Sequence, residues 1–139
     1  MSSVADPRGL ACLNGVFAPP EETWVPIWDR GFLFGDSVYE VFRLYDGRCW
    51  LESAHLKRLE RSLAEVRITG VDPTELTRRT RETIERSGVR EGTAYIQITR
   101  GVAPRRHAFP APGTPPTVLI IVRPFDVRPT RLKQETGVG

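Results

Sequence analysis

The sequence predicts an α+β fold, in which a mostly antiparallel sheet carries two helices on one face. Three observations predict it. Apolar residues alternate along stretches near both ends of the chain, two helical patterns lie between those stretches, and favoured two-residue turns connect neighbouring strands. The chain has 139 residues, of which 40% are hydrophobic, and this is enough for one domain with its own core.

Two hairpins are predicted in the first third of the chain. Asn14-Gly15 is a preferred turn within CLNGVF, and Asp46-Gly47 follows a long strand over residues 37–45, with RCWL as the return strand. Further strands are predicted at TAYIQITRGV and at TVLIIV, whose continuous apolar character indicates burial on both faces. Alternation divides the long strand into two faces, with Val38, Glu40, Phe42 and Leu44 on one and Tyr39, Val41, Arg43 and Tyr45 on the other.

Two amphipathic helices are predicted between the hairpins and the last strands. The first, SAHLKRLERSLAEVRI, has an apolar stripe formed by Leu56, Leu59, Leu63 and Val66. The second begins with Asp72 as N-cap and Pro73 in the first turn, with Glu75 in the position of a capping-box partner, and Ser87-Gly88 ends it. The arginines and glutamates of TRRTRETIER are typical of a solvated helix face.

The remaining segments are predicted to be irregular. ETWVPIWDRG is expected to be extended, as an edge or irregular strand interrupted by Pro26. Gly31, Gly35 and Asp36 are expected to turn the chain into the long strand, with the option of a close backbone approach to a ligand. The domain is expected to span residues 1–124, and residues 125–139 lack periodicity and are predicted to begin a linker.

Composition excludes some classes of function. The net charge of +3 is small, and no basic stripe with interleaved aromatic residues predicts nucleic-acid binding. No apolar run is long enough to cross a bilayer, and no secretory signal is readable at the N-terminus, so a cytoplasmic protein is expected. Cys12 and Cys49 lack metal-binding spacing and are expected to be two buried free thiols, with a disulfide as the less favoured alternative.

Four side chains are candidates for binding an anion, and each also has an ordinary structural explanation. Tyr39 can offer a hydroxyl to a carboxylate, or only pack on its strand. Arg58 lies beside the leucine stripe of the first helix, where it can hold a phosphate or remain a solvated arginine. Arg105 and His107 lie two residues apart in a loop limited by prolines, a combination suited to a substrate carboxylate.

Taken together, the stretches DRGFLFGDSVYEV, HLKRL and YIQITRGVAPRRHAFP resemble the N-terminal half of the class IV pyridoxal-phosphate aminotransferases. The similarity covers roughly Leu13 to Pro124 and is greatest to the D-amino acid aminotransferases. It implies the small N-terminal domain of the fold type IV enzymes, with pyridoxal 5'-phosphate as cofactor. It also implies amino transfer between a D-amino acid and a 2-oxo acid.

The resemblance also implies roles for individual residues. Arg58 would hold the cofactor phosphate, and Tyr39, Arg105 and His107 would bind the substrate α-carboxylate, with Val41 flanking the pocket. The loop with Arg105 and His107 would reach the neighbouring subunit, so a homo-oligomer is expected. On this basis Arg58 is expected to be free of any carboxylate partner, since a buried bidentate pair would count against a phosphate role. Arg105 and His107 are expected on an exposed loop.

The lysine that forms the Schiff base in this family has no counterpart in the chain. Lys57 adjoins Arg58 on a helix, and Lys133 lies in the polar tail. We therefore expect that the catalytic C-terminal domain is absent, that no catalytic residue is present, and that the chain is inactive alone. Alternative interpretations are a domain of an aminodeoxychorismate lyase or of a branched-chain aminotransferase, or a non-catalytic dimerising fragment.

Overall fold

A computed structural model describes residues 8–137, and its centre is a six-stranded antiparallel sheet. The ends of the predicted domain and linker, residues 1–7 and 138–139, lie outside the described residues. The strands lie in the order β2-β1-β6-β5-β3-β4. In chain order the elements are β1 (Leu10–Leu13), β2 (Val16–Ala18), α1 (Arg30–Phe34), β3 (Ser37–Tyr45), β4 (Arg48–Cys49), α2 (Glu52–Glu65), α3 (Pro73–Ser87), β5 (Gly92–Thr99), β6 (Thr117–Pro124) and α4 (Arg128–Thr136).

Both predicted hairpin turns are confirmed. Asn14 and Gly15 have φ values of 49° and 88°, and Asp46 and Gly47 have φ values of 51° and 74°. Two successive residues with positive φ match the twist of an antiparallel hairpin, and asparagine, aspartate and glycine tolerate that conformation. The return strand β4 is shorter than predicted, because Trp50 and Leu51 form a turn into α2, although the Trp50 N–H still donates to the Arg43 carbonyl (2.9 Å).

The two faces of β3 differ as predicted. Val38, Glu40, Phe42 and Leu44 are buried under the helices, whereas Tyr39, Val41 and Tyr45 are exposed. α2 lies over β3, and α3 lies over β6 and β1, so both helices cover the same face of the sheet. The core combines this face with the apolar helix residues Leu59, Leu63, Leu76 and Ile84.

The predicted ends of α3 are confirmed, with one correction. Asp72 accepts hydrogen bonds from the backbone N–H groups of Thr74 (2.9 Å) and Glu75 (3.4 Å), and Gly88 ends the helix with a φ of 66°. Glu75 does not complete a capping box. Its carboxylate instead binds the guanidinium groups of Arg78 and Arg79, one turn further along the helix.

Four segments differ from the prediction. Residues 22–29 form no strand, and the glycine-containing turn before β3 is the short helix α1. The tail contains α4, which has no buried residue. In β6 only one face is buried among the described residues, since Leu119 and Ile121 remain partly exposed on the other. An apolar run does not show what covers its second face, and here residues 8–137 leave that face open.

No helix within residues 8–137 has the length and apolar character that crossing a membrane requires.

Candidate functional site

The site residues are positioned by α1 and by the loop between β5 and β6. Asp29 is fully buried and accepts a hydrogen bond from the Gly31 N–H (2.8 Å), which caps α1. It also accepts from the Thr99 hydroxyl (3.1 Å) and the Thr117 hydroxyl (2.6 Å), at the two ends of the loop. One carboxylate therefore attaches α1 to both ends of the loop.

A second carboxylate, that of Asp36, lies between two nearly buried arginines. Its Oδ2 accepts from Arg30 Nε (2.9 Å) and Arg100 Nε (2.7 Å), and its Oδ1 accepts from Arg100 Nη2 (3.0 Å). Exposure of the side chains is 15% for Asp36, 5% for Arg30 and 10% for Arg100. Burial alone would raise the pKa of Asp36, but hydrogen bonds from Arg100 and Arg30 outweigh it and hold the pKa below its ordinary value.

Arg105 and His107 lie on the loop between β5 and β6, and both side chains are exposed, as predicted. The loop starts at Gly101, whose φ of 100° favours glycine and where a Cβ would overlap the carbonyl oxygen of Pro115. Both side chains pack on Phe34 at the end of α1. The His107 ring is 5.6 Å from the Phe34 ring, and Arg105 Cζ is 5.3 Å from it.

Arg58 lies in the second turn of α2, and the expectation that its guanidinium has no carboxylate partner is wrong. Its Nε and Nη2 donate to the two carboxylate oxygens of Glu40, at 2.5 Å and 2.7 Å. His55 Nδ1 lies 2.9 Å from the same carboxylate. The hydrogen bond from Arg58, and with it that from His55, holds the pKa of Glu40 below its ordinary value despite burial.

The pair with Glu40 leaves part of Arg58 accessible. The Arg58 side chain is 57% exposed, whereas that of Glu40 is 4% exposed. No hydrogen bond is recorded for Arg58 Nη1 within residues 8–137. The bidentate pair with buried Glu40 counts against the phosphate role that was expected for Arg58. What is left for a phosphate is one edge of the guanidinium, beside a carboxylate that offsets part of its charge.

Tyr39, Val41 and Arg58 meet at the exposed edge of β3. With Glu40 and Ser62 they line an open depression of about 350 Å³. This edge is open because β4 pairs only with the last two residues of β3. The Tyr39 ring stacks on Tyr95 with centroids 5.7 Å apart, and no hydrogen bond of the Tyr39 hydroxyl is recorded in the described part of the chain.

The predicted site residues therefore form two groups. Tyr39, Val41 and Arg58 share the depression, and Arg105 and His107 share the ring of Phe34. Arg105 and His107 are not among the residues that line the depression.

Sequence reasoning missed the side chains that hold these groups in place. Glu40 had a readable signal, because a carboxylate on the buried face of β3 requires a cationic partner. His55, Arg30, Arg100 and Phe34 had no comparable signal, since their partners are distant in sequence.

The two cysteines are free thiols, as predicted, but only Cys12 is buried as expected, and Cys49 is half-buried. Burial raises the pKa of the Cys49 thiol to about 12, so this group is not a nucleophile at neutral pH. Lys57 and Lys133 are both exposed on helices, and no pocket encloses either amine within the described residues.

Comparison with solved structures defines the class of fold, that of the fold type IV aminotransferases. 4-amino-4-deoxychorismate lyase from Pseudomonas aeruginosa matches with a TM-score of 0.76 and 26% identity, covering 91% of this chain and 44% of that one. A branched-chain amino acid aminotransferase from T.th., solved with pyridoxamine 5'-phosphate, matches with a TM-score of 0.74 and 25% identity, covering 86% and 40%.

The model of the amino-transferase class IV family matches residues 37–138, and the chain belongs to this family. It is 38% identical over 115 residues to a D-alanine aminotransferase of Staphylococcus haemolyticus, covering 82% of this chain and 41% of the relative. A D-alanine aminotransferase of Bacillus licheniformis is 36% identical over 127 residues, covering 91% and 44%. The chain thus spans about two fifths of the length of these curated relatives.

Replacing Asp36 by asparagine is expected to lower the free energy of unfolding by about 3 kcal/mol at pH 7, because two buried arginines lose their shared anion. The folded pKa of Asp36 is depressed, so its stabilisation is present above the unfolded pKa of about 4 and is lost as pH falls through the folded pKa. The difference between wild type and Asp36→Asn should therefore narrow below about pH 4. Denaturant unfolding across pH measures it.

Asp126→Asn is the matched control, because Asp126 also pairs with an arginine, Arg128, but the pair is exposed. It should change stability little at any pH. An Asp36→Asn protein as stable as wild type at pH 7 would contradict the interpretation of the buried pair.

Proposed function

We propose that this chain carries the carboxylate-binding and phosphate-binding side chains of an enzyme that transfers an amino group between a D-amino acid and a 2-oxo acid. The observation that carries the proposal is the meeting of Tyr39, Val41 and Arg58 at the open edge of β3, in a class IV aminotransferase similar to D-alanine aminotransferases. The proposed cofactor is pyridoxal 5'-phosphate, and the proposed location is the cytoplasm.

In this proposal Arg58 holds the cofactor phosphate by its free edge. The Glu40 carboxylate accepts hydrogen bonds from Nε and Nη2 of Arg58, and these bonds fix the plane of the guanidinium. Arg58 also lines the depression, together with Ser62. Pyridoxal phosphate, when bound, supplies an electron sink for the bond that breaks at the substrate α-carbon. The chain's own contribution is to bind and orient the phosphate and the substrate.

The carboxylate of the substrate is assigned to Tyr39, Arg105 and His107. The Arg105 guanidinium can donate two parallel hydrogen bonds to a carboxylate, and the Tyr39 hydroxyl and the imidazole can each donate one more. The loop of Arg105 and His107 does not line the depression of Tyr39 and Arg58, and it is proposed to complete the site of a second copy. Val41 forms the apolar wall beside Tyr39.

The alternatives concern the reaction rather than the family. The solved neighbours include an aminodeoxychorismate lyase and branched-chain aminotransferases, so either reaction remains a second candidate. The Arg-x-His loop favours the D-amino acid reaction. A non-catalytic dimerising fragment is the third candidate and agrees with the absence of an enclosed lysine among the described residues.

Enantiomer preference tests the reaction. A chimera in which this chain replaces the matching segment of the Staphylococcus haemolyticus relative is expected to use D-alanine rather than L-alanine or L-leucine as amino donor. Arg105→Ala should lower kcat/KM for D-alanine about tenfold to a hundredfold, the value of a hydrogen bond to a charged group. Steady-state kinetics with 2-oxoglutarate as acceptor measure both.

Arg106→Ala is the matched control, since Arg106 is the exposed neighbour and only its backbone carbonyl accepts a recorded bond. It should leave kcat/KM close to that of the unsubstituted chimera. A preference for L-leucine, or equal losses in both variants, would overturn the assignment.

The 139-residue chain alone is expected to form no stoichiometric lysine adduct with pyridoxal phosphate and to transfer no amino group. A nucleophilic lysine needs a desolvated or electropositive pocket that keeps it neutral, and Lys57 and Lys133 are exposed. Borohydride reduction followed by mass mapping, with an assay for transfer from D-alanine to 2-oxoglutarate, checks this.

Reversible binding of the phosphate is expected to depend on Arg58. Arg58→Ala should weaken the binding of pyridoxal phosphate to the chain, whereas Arg61→Ala, an exposed arginine one turn further along α2, should not. For the prediction that no lysine adduct forms, the contradicting outcome is a single modified lysine accompanied by amino transfer, which would show that the catalytic residue lies within this chain.

Self-association is also expected. Apolar side chains are exposed in the segment before β3, among them Trp24, Ile27 and Phe32. Leu119 and Ile121 add partly exposed apolar surface on the open face of β6. Light scattering at increasing concentration should give a mass above that of a monomer.

Phe32→Ser should weaken the association, because Phe32 lies on α1 beside the loop proposed to reach the second copy. Val16→Ser is the control, since Val16 is also apolar and exposed but lies in the first hairpin. A clean monomer at high concentration would contradict the proposal.

A further inference from the structure

Arg30 has the geometry to hold the loop of Arg105 and His107 in place. Its Nε binds Asp36, and its Nη1 donates to the carbonyl oxygens of Arg106 (2.7 Å) and Ala108 (3.4 Å). These two carbonyls flank His107 in the chain. The side chain is nearly buried, so it does not face solvent.

The loop has few other attachments near its tip. No backbone-to-backbone hydrogen bond is recorded for residues 104–110 in the described part of the chain. The recorded hydrogen bonds to this stretch are the two from Arg30. The tip also has ring contacts, between Phe34 and both Arg105 and His107, and between Arg100 Cζ and the Phe109 ring at 4.0 Å.

Arg30 is itself held by contacts of its backbone and of its guanidinium. Its backbone N–H donates to the carbonyl of Gly101 (2.9 Å), at the start of the loop. Its guanidinium lies over Phe34, with Cζ 4.7 Å from the ring centroid. The same ring supports Arg105 and His107, so Arg30 fixes both the backbone that carries His107 and the surface on which the two side chains rest.

We infer that Arg30 is a positioning residue, which orients Arg105 and His107 through the carbonyls on either side of His107 without touching substrate. The inference rests on the proposed function for its biological meaning, because the loop is proposed to bind the substrate carboxylate. Its structural content can be tested independently on the chain itself.

The substitution Arg30→Lys separates the effect of the positive charge from that of the guanidinium geometry. Arg30→Lys keeps a cation beside Asp36, but its single nitrogen cannot occupy both positions from which Nε binds the carboxylate and Nη1 binds the carbonyls. Arg43→Lys is the matched control. Arg43 also binds a carboxylate, that of Glu91, and two carbonyl oxygens, but at the opposite end of the sheet.

The chain contains only two histidines, so the imidazole NMR signals of His107 and His55 report the loop and a fixed internal reference. In wild type, backbone order parameters for residues 105–109 should lie near ~0.85, the level of rigid backbone. In Arg30→Lys they should fall below ~0.6, and the His107 signal should lose its ring-current shift from Phe34. The His55 signal should not move, and Arg43→Lys should leave both unchanged.

Other outcomes overturn the inference. An Arg30→Lys loop as ordered as wild type would do so, and so would equal shifts of both histidines, which indicate a general loss of structure. If this variant does not fold, the wild-type measurement decides, since order parameters below ~0.6 for residues 105–109 show a loop that Arg30 does not fix. Failure of the proposed function is distinguishable: Arg30→Lys would loosen the loop while Arg105→Ala left the kinetics of the chimera unchanged.

Discussion

The Asp36 carboxylate is the constraint on which the rest of the site depends. Two arginines packed close together in a nearly buried position would repel each other and remain poorly solvated without an anion between them. With Asp36 present, each arginine has donors left for another segment. Arg100 binds the carbonyls of Val66 (2.7 Å) and Arg67 (2.9 Å), just after α2, and Arg30 binds those beside His107. One carboxylate thus connects the end of α2 with the loop that carries Arg105 and His107.

Asp29 and Asp36 connect α1 with different parts of the loop. Asp29 connects α1 to the two ends of the loop through the hydroxyls of Thr99 and Thr117. Asp36 holds Arg30, the first residue of α1, whose guanidinium binds the tip of the loop. Anchoring at the ends and at the tip allows a loop without regular hydrogen bonding to keep a defined shape. Rigid support of this kind is what a binding site on a loop requires, because a side chain that must be ordered on binding loses affinity.

Buried Glu40 restricts the orientation of the exposed Arg58 side chain. Glu40 lies under α2, where its carboxylate is satisfied by Arg58 and His55. The arrangement restricts the rotation of Arg58 and offsets part of its charge, so a phosphate would meet a preorganised guanidinium edge rather than a free side chain. The sequence-based expectation of an unpaired Arg58 overlooked that a cation beside an apolar stripe is also the natural partner of a buried carboxylate.

Much of the local structure of this protein could be predicted from the sequence alone, because it depends on residues that are neighbours in the chain. Alternation in β3, the asparagine-glycine and aspartate-glycine turns, the cap of α3 and the exposed proline-bounded loop all follow from neighbours in sequence, and each was predictable. The class of fold and the resemblance to class IV aminotransferases followed from the same stretches.

Tertiary structure decided what depends on partners remote in sequence: the pairing of Glu40 with Arg58, 18 positions away, and the bonds from Arg30 to the loop, 76 and 78 positions away. It also decided that α1 is a helix, since Asp29 caps it while bonded to Thr99 and Thr117. Such contacts have no periodicity to read, because they form only when the sheet brings distant segments together.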